Sequence, residues 1–255
     1  MKYVISLTLL ALALALTSGQ PLRAEDRVYK VAVEDNYKPF AYTDQSGRLS
    51  GFDVDVAQTV CGRLRITCEI LPLPFNEIIP GVQAGKVDIG TAGFAYTEER
   101  ATRVIFTNRY YRSSSLFIGL TGHAIGDLAP ASLQGKKVAV QSDTSQESYL
   151  RRAYGDKIQV APVADLDNVL KAVTDQTADL GFADGLAVYE HMKSDDGAAL
   201  DFIGDPVYID DGSSFMILAK GAEDLRDKIN QAIDEIRASG EYDRINNKYF
   251  DFNVY

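Results

Sequence analysis

Hydrophobic and polar residues form two kinds of pattern along the chain, and one combination of them occurs twice. Residues 85–93 and 177–185 each contain an aspartate followed by a short apolar run that ends in small residues. An apolar stretch with helical spacing precedes each copy. A short apolar run after a helix is typical of a buried parallel strand that follows a crossover helix. The two copies therefore predict two similar α/β lobes.

The remaining pattern predicts further strands and helices on both sides of the repeat. Helical spacing of apolar residues ends at Gly62 in one stretch and at Gly240 in the longest one, and glycine is a good helix stop. We expect the C-terminal segment, residues 242–255, to pack on the first lobe. The predicted strands are 28–33, 66–71, 109–118, 138–140 and 215–219, and the predicted helices include 52–62, 75–82, 146–154, 169–175, 186–192 and 225–236.

Two charged residues stand at the ends of the repeated segments. Arg100 follows the first copy, and the second copy ends at Asp184 and Gly185. Ligands of open α/β sheets bind at the carboxyl ends of the strands. We therefore expect each copy to offer polar groups to a shared cleft, where one cation and one anion would suit a zwitterion.

The N-terminal segment has the pattern of a secretory signal peptide. Lys2 precedes an apolar run at residues 4–16 that is too short to span a bilayer, and Ala24 is a small residue at a plausible cleavage position. We expect residues 1–24 to be removed during export. An uncleaved anchor is the alternative.

The composition is that of an acidic globular protein. Of 255 residues, 46% are hydrophobic and 24% are charged, and the length suits one large domain or two lobes of about 100 residues. The net charge is -10, and it becomes -12 without Lys2 and Arg23. Such a protein is not expected to bind nucleic acid or anionic lipid through bulk electrostatics.

The two cysteines, Cys61 and Cys68, lie close together in the sequence. In an exported protein such a pair is more often a disulfide than a metal site. We expect it to tie the end of one helix to the next strand. The two histidines, His123 and His191, are predicted in a loop and at a helix end, so no metal site is expected.

The motifs of the common enzyme classes are absent from the sequence. No G-x-S-x-G motif occurs, and no G-x-G-x-x-G or Walker pattern follows a predicted strand. We therefore expect no catalytic residue and no cofactor.

Six segments resemble the polar amino-acid-binding receptors of ABC importers, which form solute-binding protein family 3. The match covers nearly the whole mature chain in the family's order, and it is closest to the lysine/arginine/ornithine and histidine receptors. The matching segments are 36–40, 51–57, 83–88, 97–100, 135–140 and 248–255. The resemblance implies an α/β fold of the type II periplasmic binding class, with two lobes, each a central and mostly parallel sheet flanked by helices, joined by two hinge strands.

This fold implies a division of the chain and a function. Lobe 1 would comprise residues 25–113 and 209–255, lobe 2 residues 114–208, and the hinge would lie near 113–118 and 208–214. The resemblance implies a monomeric periplasmic receptor that captures a small polar or cationic amino acid, or a derivative such as an opine. The closed form would then be recognised by a membrane permease.

The resemblance also implies roles for the two charged residues. Arg100 matches the arginine that clamps the ligand α-carboxylate, since a guanidinium offers a bidentate fork. Asp184 matches the carboxylate that receives the α-ammonium. The alternatives are a surface arginine paired with a glutamate, and a helix N-cap at Asp184, which can coexist with binding.

The positions expected around the ligand carboxylate come from both lobes. Ala95 replaces the usual Ser or Thr of the family, so one side-chain donor is missing. Ser145 lies at a predicted helix start, where free N–H groups attract anions, although it could simply cap that helix. The matched positions are Ala92, Gly93, Ala95, Thr144 and Ser145.

The resemblance places three residues around the ligand side chain. Tyr37 and Phe75 match the two aromatics that sandwich it, an arrangement that suits an aliphatic stem or a cation. Phe75 could instead belong to the core. Glu34 replaces an aspartate that holds the distal ammonium of basic ligands. Its extra methylene shifts the charge toward the ligand, which predicts a shorter or differently shaped cation.

Asp143 is the largest departure from the family pattern, since relatives have glycine there. An anion beside a bound carboxylate would be repelled. We expect Asp143 to point outward as a cap for the helix at Gln146. The alternative is a contact with a second positive group on an unusual ligand.

An enzyme on the same scaffold is the competing hypothesis. It would be an exported dehydratase acting on a prephenate-like cyclic acid. Such chemistry needs a general acid at the leaving group, and Asp143 or Glu34 could be nominated.

Overall fold

Two five-stranded sheets, each flanked by helices, organise the chain. They are seen in a computed structural model that describes residues 27–255, so the predicted signal peptide lies outside the described residues. The strands are β1 (Val28–Glu34), β2 (Tyr42–Thr43), β3 (Leu49–Ser50), β4 (Thr67–Leu73), β5 (Ile89–Phe94), β6 (Val104–Arg112), β7 (Ser115–Leu120), β8 (Lys137–Gln141), β9 (Gln159–Val163), β10 (Leu180–Asp184), β11 (Leu200–Val207) and β12 (Ser213–Ala219).

Eight α-helices within residues 27–255 cover these sheets or connect their strands. They are α1 (Phe52–Leu64), α2 (Phe75–Gln83), α3 (Glu98–Arg103), α4 (Ser145–Tyr154), α5 (Leu166–Thr174), α6 (Gly185–Met192), α7 (Glu223–Ala238) and α8 (Glu241–Tyr249), with short 3-10 turns at Asp195–Gly197 and Asp210–Gly212. None of the helices in this part of the chain is both long enough and apolar enough to cross a membrane.

The two sheets have matching strand orders. The first sheet runs β4-β1-β5-β12-β6, and the second, in the same sense, runs β9-β8-β10-β7-β11. The first three strands of each order are parallel, and the last two add antiparallel pairings. The predicted α/β fold with two lobes and mostly parallel sheets is confirmed.

The central strands β1 and β8 correspond in sequence as well as in position. Both contain Lys-Val-Ala-Val, at residues 30–33 and 137–140. Ala32 of β1 lies opposite Gly90 of β5, and Ala139 of β8 lies opposite Gly181 of β10. This register aligns the two copies of the repeated segment residue by residue, so Gly93 of the first lobe corresponds to Asp184 of the second.

The aspartate of each repeated segment fixes the start of its strand to the neighbouring central strand. Asp88 Oδ2 accepts a hydrogen bond from the Lys30 N–H, and Asp179 Oδ2 accepts one from the Lys137 N–H, both at 2.8 Å. The backbone N–H groups of the two aspartates donate back to the carbonyls of the same lysines. The repeat therefore encodes a strand start that both lobes share.

The chain changes from the first sheet to the second between β6 and β7. The predicted single extended run at 109–118 is wrong, because Arg112 pairs with β12 whereas Ser115 pairs with β10 and β11. The chain returns from the second sheet to the first at residues 208–212. The Ser113 N–H donates to the Gly212 carbonyl at 2.9 Å, so the two crossings are bonded to each other.

Helix α1 continues past its predicted end at Gly62. It ends at Leu64, and Arg65 then adopts a left-handed conformation with φ 55°. The N–H groups of Arg65 and Ile66 donate to carbonyls in the last turn, which satisfies the helix end without a glycine. The predicted disulfide, Cys61–Cys68, joins this end of α1 to β4.

The C-terminal segment packs on the first lobe, as predicted. The Tyr249 hydroxyl donates to Asp55 of α1 at 2.9 Å, and the Arg112 N–H donates to the Val254 carbonyl at 2.6 Å. Because these contacts join α8 and the last residues to α1 and β6, the C-terminus closes one side of the first lobe.

The equivalent glycines of β5 and β10 are predicted to be required by packing. A Cβ at Gly90 would lie 2.6 Å from Ile78 and 2.8 Å from Ile217, and one at Gly181 would lie 2.9 Å from Val169. We expect Gly90→Ala and Gly181→Ala each to lower the unfolding free energy by about 1–3 kcal/mol. Thermal and urea unfolding would measure this.

Gly62→Ala is the matched control for these two variants. A Cβ at Gly62 would meet no atom within 4 Å, and the residue is helical with an ordinary φ. Alanine there should be neutral or stabilising by up to about 1 kcal/mol. If all three variants unfold like the wild type, the packing argument for the repeated glycine is wrong.

Candidate functional site

A cavity lies between the two lobes, at the carboxyl ends of β1, β5, β8 and β10. Nine of the eleven predicted site residues line it: Glu34, Tyr37, Phe75, Ala92, Gly93, Arg100, Thr144, Ser145 and Asp184. The two others, Ala95 and Asp143, do not.

Arg100 is buried in the cleft, with only 5% of its surface exposed, so the alternative of a surface arginine is wrong. One guanidinium nitrogen, Nη1, donates to the Ala95 carbonyl at 3.0 Å, and the other, Nη2, donates to the Asp143 carbonyl of the second lobe at 2.8 Å. The guanidinium also lies 5.6 Å from the ring centre of Phe75 and 5.5 Å from that of Phe94. Burial lowers the pKa of Arg100 to about 10, so it remains a cation at neutral pH.

Asp184 is held in place by the start of α6. Its Oδ1 accepts hydrogen bonds from the N–H groups of Leu186 at 2.9 Å and Ala187 at 3.1 Å. The residue therefore caps the helix, as one predicted role required, while it also lines the cavity. Burial raises the pKa of Asp184 to about 6, although hydrogen bonds from Ser113 and the helix N–H groups oppose the shift.

Glu34 is the last residue of β1 and is only 3% exposed. The side-chain amide of Gln141, from the second lobe, donates a hydrogen bond to its Oε1. The pKa of Glu34 is raised to about 8. Burial is the main cause, the nearby carboxylates of Asp53, Asp165 and Asp184 also raise the pKa, and the Gln141 hydrogen bond opposes the shift. The cavity thus holds a carboxyl group that ionises readily only when a cation approaches it.

A second buried acid lies behind the cavity. Asp53, at the start of α1, accepts a hydrogen bond from the Tyr110 hydroxyl at 2.9 Å, and burial raises its pKa to about 7. Tyr110 in turn accepts one from the Thr91 hydroxyl. This network connects α1 to β5 and β6, so it fixes the wall from which Ala92 and Gly93 face the cavity.

The two predicted aromatic residues both line the cavity from the first lobe. Tyr37 stacks on Phe40 and Phe75 stacks on Phe94, each with ring centres 5.0 Å apart. Phe75 therefore belongs to the core and to the cavity wall at once. Because both rings are backed by other rings, their positions are fixed before any ligand enters.

Gly93 is required at its position for two reasons. Its φ is +62°, and a Cβ there would lie 2.6 Å from the Tyr111 hydroxyl oxygen. A side chain would have to displace a fully buried tyrosine. The bare backbone of Gly93 therefore forms part of the cavity wall.

Ala95 and Asp143, two of the departures from the pattern expected from the resemblance, act through their backbones. Both carbonyls accept hydrogen bonds from Arg100. Asp143 has φ 62°, a conformation that suits glycine, and its exposed side chain does not face the cavity. The prediction that Asp143 caps the next helix is wrong, because Thr144 is the N-cap and its hydroxyl accepts from the Glu147 N–H at 3.2 Å.

Six lining residues were missed from the sequence. Gln141 could have been found, since it follows Lys-Val-Ala-Val just as Glu34 does. Gln146 directly follows the predicted Ser145, and the four apolar residues carry no comparable signal, because apolar helix and strand residues look alike whether they face a core or a cavity. The missed residues are Gln141, Gln146, Leu166, Val169, Phe182 and Ala183.

Comparison with known proteins identifies the family of the chain. Residues 29–252 match the family described as bacterial extracellular solute-binding proteins, family 3. The chain belongs to this family. It is 32% identical to the L-arginine-binding protein of Pseudomonas aeruginosa and 31% identical to the histidine-binding periplasmic protein of Salmonella typhimurium, in both cases over 96% of each chain.

The structure of this solute-binding protein is also similar to solved ones. An ancestral arginine-binding protein bound to arginine superposes with a TM-score of 0.81 and 28% sequence identity, over 88% of this chain and 98% of that chain. The two-lobed architecture is therefore that of periplasmic binding proteins.

The raised pKa of Glu34 predicts a pH-dependent cost to stability. Since the folded-state pKa of about 8 is above the ordinary value of 4.5, the folded protein holds the proton more tightly, and stability falls as pH rises from 4.5 to 8. Glu34→Gln removes this ionisation and keeps a partner for Gln141. We expect the variant to melt higher than the wild type at pH 8, by a few kcal/mol in unfolding free energy, and the difference to shrink toward pH 5.

Glu69→Gln is the control, since Glu69 is exposed on β4. Its difference from the wild type should not change with pH in this way. Thermal unfolding of ligand-free protein at pH 5, 6.5 and 8 measures both. A Glu34→Gln variant that is no more stable than the wild type at pH 8 would contradict the buried-acid account.

The backbone role of Asp143 predicts that its side chain is dispensable. Asp143→Gly keeps both backbone hydrogen bonds and suits the positive φ, so ligand preference should be unchanged and unfolding free energy should change by less than about 1 kcal/mol. Gln176→Gly, an exposed residue with φ 56° far from the cavity, is the control. Calorimetric titration with amino acids would test this. If the ranking of the amino acids by affinity changed in Asp143→Gly but not in the control, the Asp143 side chain would contact the ligand.

Proposed function

We propose that this solute-binding protein is the periplasmic receptor of an ABC importer and captures an α-amino acid with a cationic or polar side chain. The observation that carries the proposal is that Arg100 from one lobe and Asp184 from the other line the same cavity. They are a buried cation and a half-buried anion, and both are held by the protein's own backbone. A zwitterionic amino acid carries the complementary charges.

In this proposal, the ends of the amino acid bind to groups that are already oriented. Arg100 is fixed by two carbonyls and keeps further N–H groups for a carboxylate, while the Asp184 carboxylate, fixed through Oδ1 by the α6 N–H groups, would receive an ammonium. Hydrogen bonds to charged groups contribute about 1.5–3 kcal/mol each. Because the side chains are pre-oriented, little of this free energy is lost in ordering them.

The ligand side chain would extend between Tyr37 and Phe75 toward Glu34. Stacked aromatic faces suit an aliphatic stem, and a distal cation would stabilise the ionised form of Glu34. The names of the relatives, an L-arginine-binding and a histidine-binding protein, favour a basic amino acid. We propose L-arginine as the first ligand to test.

Capture would depend on closure of the two lobes about the crossings at 113–114 and 208–212. Closure removes water from the Arg100 and Asp184 contacts, which strengthens them. A ligand that binds both lobes favours the closed form by its differential affinity, and a membrane permease can then recognise that form. The receptor would act as a monomer after removal of residues 1–24.

Binding should be saturable and should require both charges. With L-arginine at about 100 times its Kd, stability should rise by about 2.7 kcal/mol, a melting shift of about 5–10 °C. We expect Arg100→Ala and Asp184→Asn to abolish this shift. The asparagine oxygen can still accept from the α6 N–H groups, so Asp184→Asn tests the charge rather than the cap. Thermal-shift and calorimetric titrations measure the effect.

Two control variants separate binding from folding. Arg103→Ala removes an arginine from the same helix, α3, but outside the cavity, and Asp165→Asn changes the N-cap of α5 in the same way as Asp184→Asn changes that of α6. Both controls should retain the shift. A wild type that binds no proteinogenic amino acid, opine or polyamine would overturn the proposal.

The dehydratase hypothesis is favoured by one observation, the buried Glu34 whose pKa is about 8. A carboxyl group that stays protonated at neutral pH could serve as a general acid. The same group is explained by binding of a distal cation, and its hydrogen bond from Gln141 fits a recognition role. Incubation with prephenate separates the two hypotheses, because formation of an aromatic product would show an enzyme.

A further inference from the structure

Glu34 and Gln141 occupy equivalent positions in the two lobes. Glu34 ends β1 opposite Leu73 of β4, and Gln141 ends β8 opposite Val163 of β9. In both lobes the next residue along the chain donates its N–H to that opposite residue's carbonyl at 2.9 Å. In each sheet, the residue that directly follows Lys-Val-Ala-Val ends its strand, and its side chain lines the cavity.

The two side chains meet across the cleft. The Gln141 amide N–H donates to Glu34 Oε1. The Gln141 backbone is itself fixed, because its carbonyl accepts a hydrogen bond from the Thr144 hydroxyl at 2.7 Å. The contact is therefore between a fixed residue of one lobe and a buried residue of the other, at a place where both line the cavity.

Each side chain of this pair keeps one oxygen atom outside their shared hydrogen bond. Glu34 Oε2 and the Gln141 side-chain carbonyl oxygen accept no other hydrogen bond from residues 27–255. A carboxylate oxygen and an amide oxygen are both acceptors, and the amide keeps its acceptor character whether or not Glu34 is ionised. The far end of the cavity thus offers oxygens from both lobes.

Two cationic end groups would use these oxygens differently. A guanidinium is planar and presents five N–H donors in a fixed fork, so it gains from a second acceptor beside the carboxylate. An ammonium is a compact charge with three rotatable donors, and one carboxylate satisfies its main electrostatic requirement. Donors that are buried without a partner are unfavourable, which penalises the guanidinium more when the second acceptor is missing.

We infer that Gln141 is a specificity-determining residue that favours an amino acid ending in a guanidinium over one ending in an ammonium. The inference rests on the proposed function, since it concerns the far end of the same amino-acid ligand. It requires that Gln141 act on the ligand's end group rather than on closure alone. A contact that served closure alone would affect all ligands equally.

The test compares L-arginine and L-lysine binding to the wild type and to Gln141→Leu by calorimetry at pH 7.5. We expect the wild type to bind arginine more tightly than lysine. In Gln141→Leu, the Kd for arginine should rise at least tenfold while that for lysine changes by less than threefold. Gln141→Met, with an unbranched side chain, provides a second variant if Gln141→Leu folds poorly.

Gln159→Leu, the same substitution on the neighbouring strand β9 and outside the cavity, is the control and should bind both ligands like the wild type. If the ratio of the two Kd values moves by less than threefold in the Gln141 variants, Gln141 does not set specificity, and the inference fails while the receptor function stands. A wild type that prefers lysine also overturns the inference. A wild type that binds neither amino acid overturns the proposed function as well.

Discussion

The structure depends on burying charged groups between two lobes without leaving them unpaired. An isolated buried charge is strongly unfavourable, and each charge here is held by dipoles of the chain itself. Two carbonyls surround Arg100, two helix N–H groups hold Asp184, and an amide contacts Glu34. These bonds fix the side chains but do not neutralise Arg100 and Asp184, while Glu34, with a pKa of about 8, is mostly protonated at neutral pH. A ligand that supplies charges opposite to those of Arg100 and Asp184 gains most of the interaction.

Ionisation of the buried acids is unfavourable, and the cavity can bind a ligand. These two properties have the same physical origin. Burial raises the pKa of Glu34 to about 8 and of Asp184 to about 6 in the cavity, and that of Asp53 behind it to about 7, so ionising these acids is unfavourable. A cation placed among them reverses this effect, because it stabilises the ionised forms. Stability lost in the free protein is thus regained on binding. Such a site favours closure only around a ligand with the right charges, which is what a transport receptor requires.

Much of this arrangement is encoded locally, and that part could be predicted from the sequence. The repeated Asp-apolar segment predicted β5 and β10 because strand, turn and crossover helix leave a contiguous pattern. The end of α1 was missed because Arg65 takes a left-handed conformation usually given to glycine, and side-chain type does not reveal it. The same limit explains Asp143, whose φ of 62° is one that glycine adopts more readily than aspartate. Gln141 follows Lys-Val-Ala-Val just as Glu34 does, so its position could have been predicted, but its contact with Glu34, 107 residues away in the sequence, could not.

The correspondence between the lobes shows how a symmetric scaffold binds an asymmetric ligand. At one pair of equivalent positions, Gly93 contributes bare backbone and Asp184 a carboxylate. At the other, Glu34 contributes a carboxyl group and Gln141 a neutral amide. In each pair, one lobe supplies the acid and the other a neutral group, and the acid comes from opposite lobes in the two pairs. The two acids therefore belong to different lobes, and the Asp184 carboxylate is still near enough to raise the pKa of Glu34. A single ligand with two separated positive groups can then engage one acid from each lobe, and only the closed arrangement of both lobes offers them together.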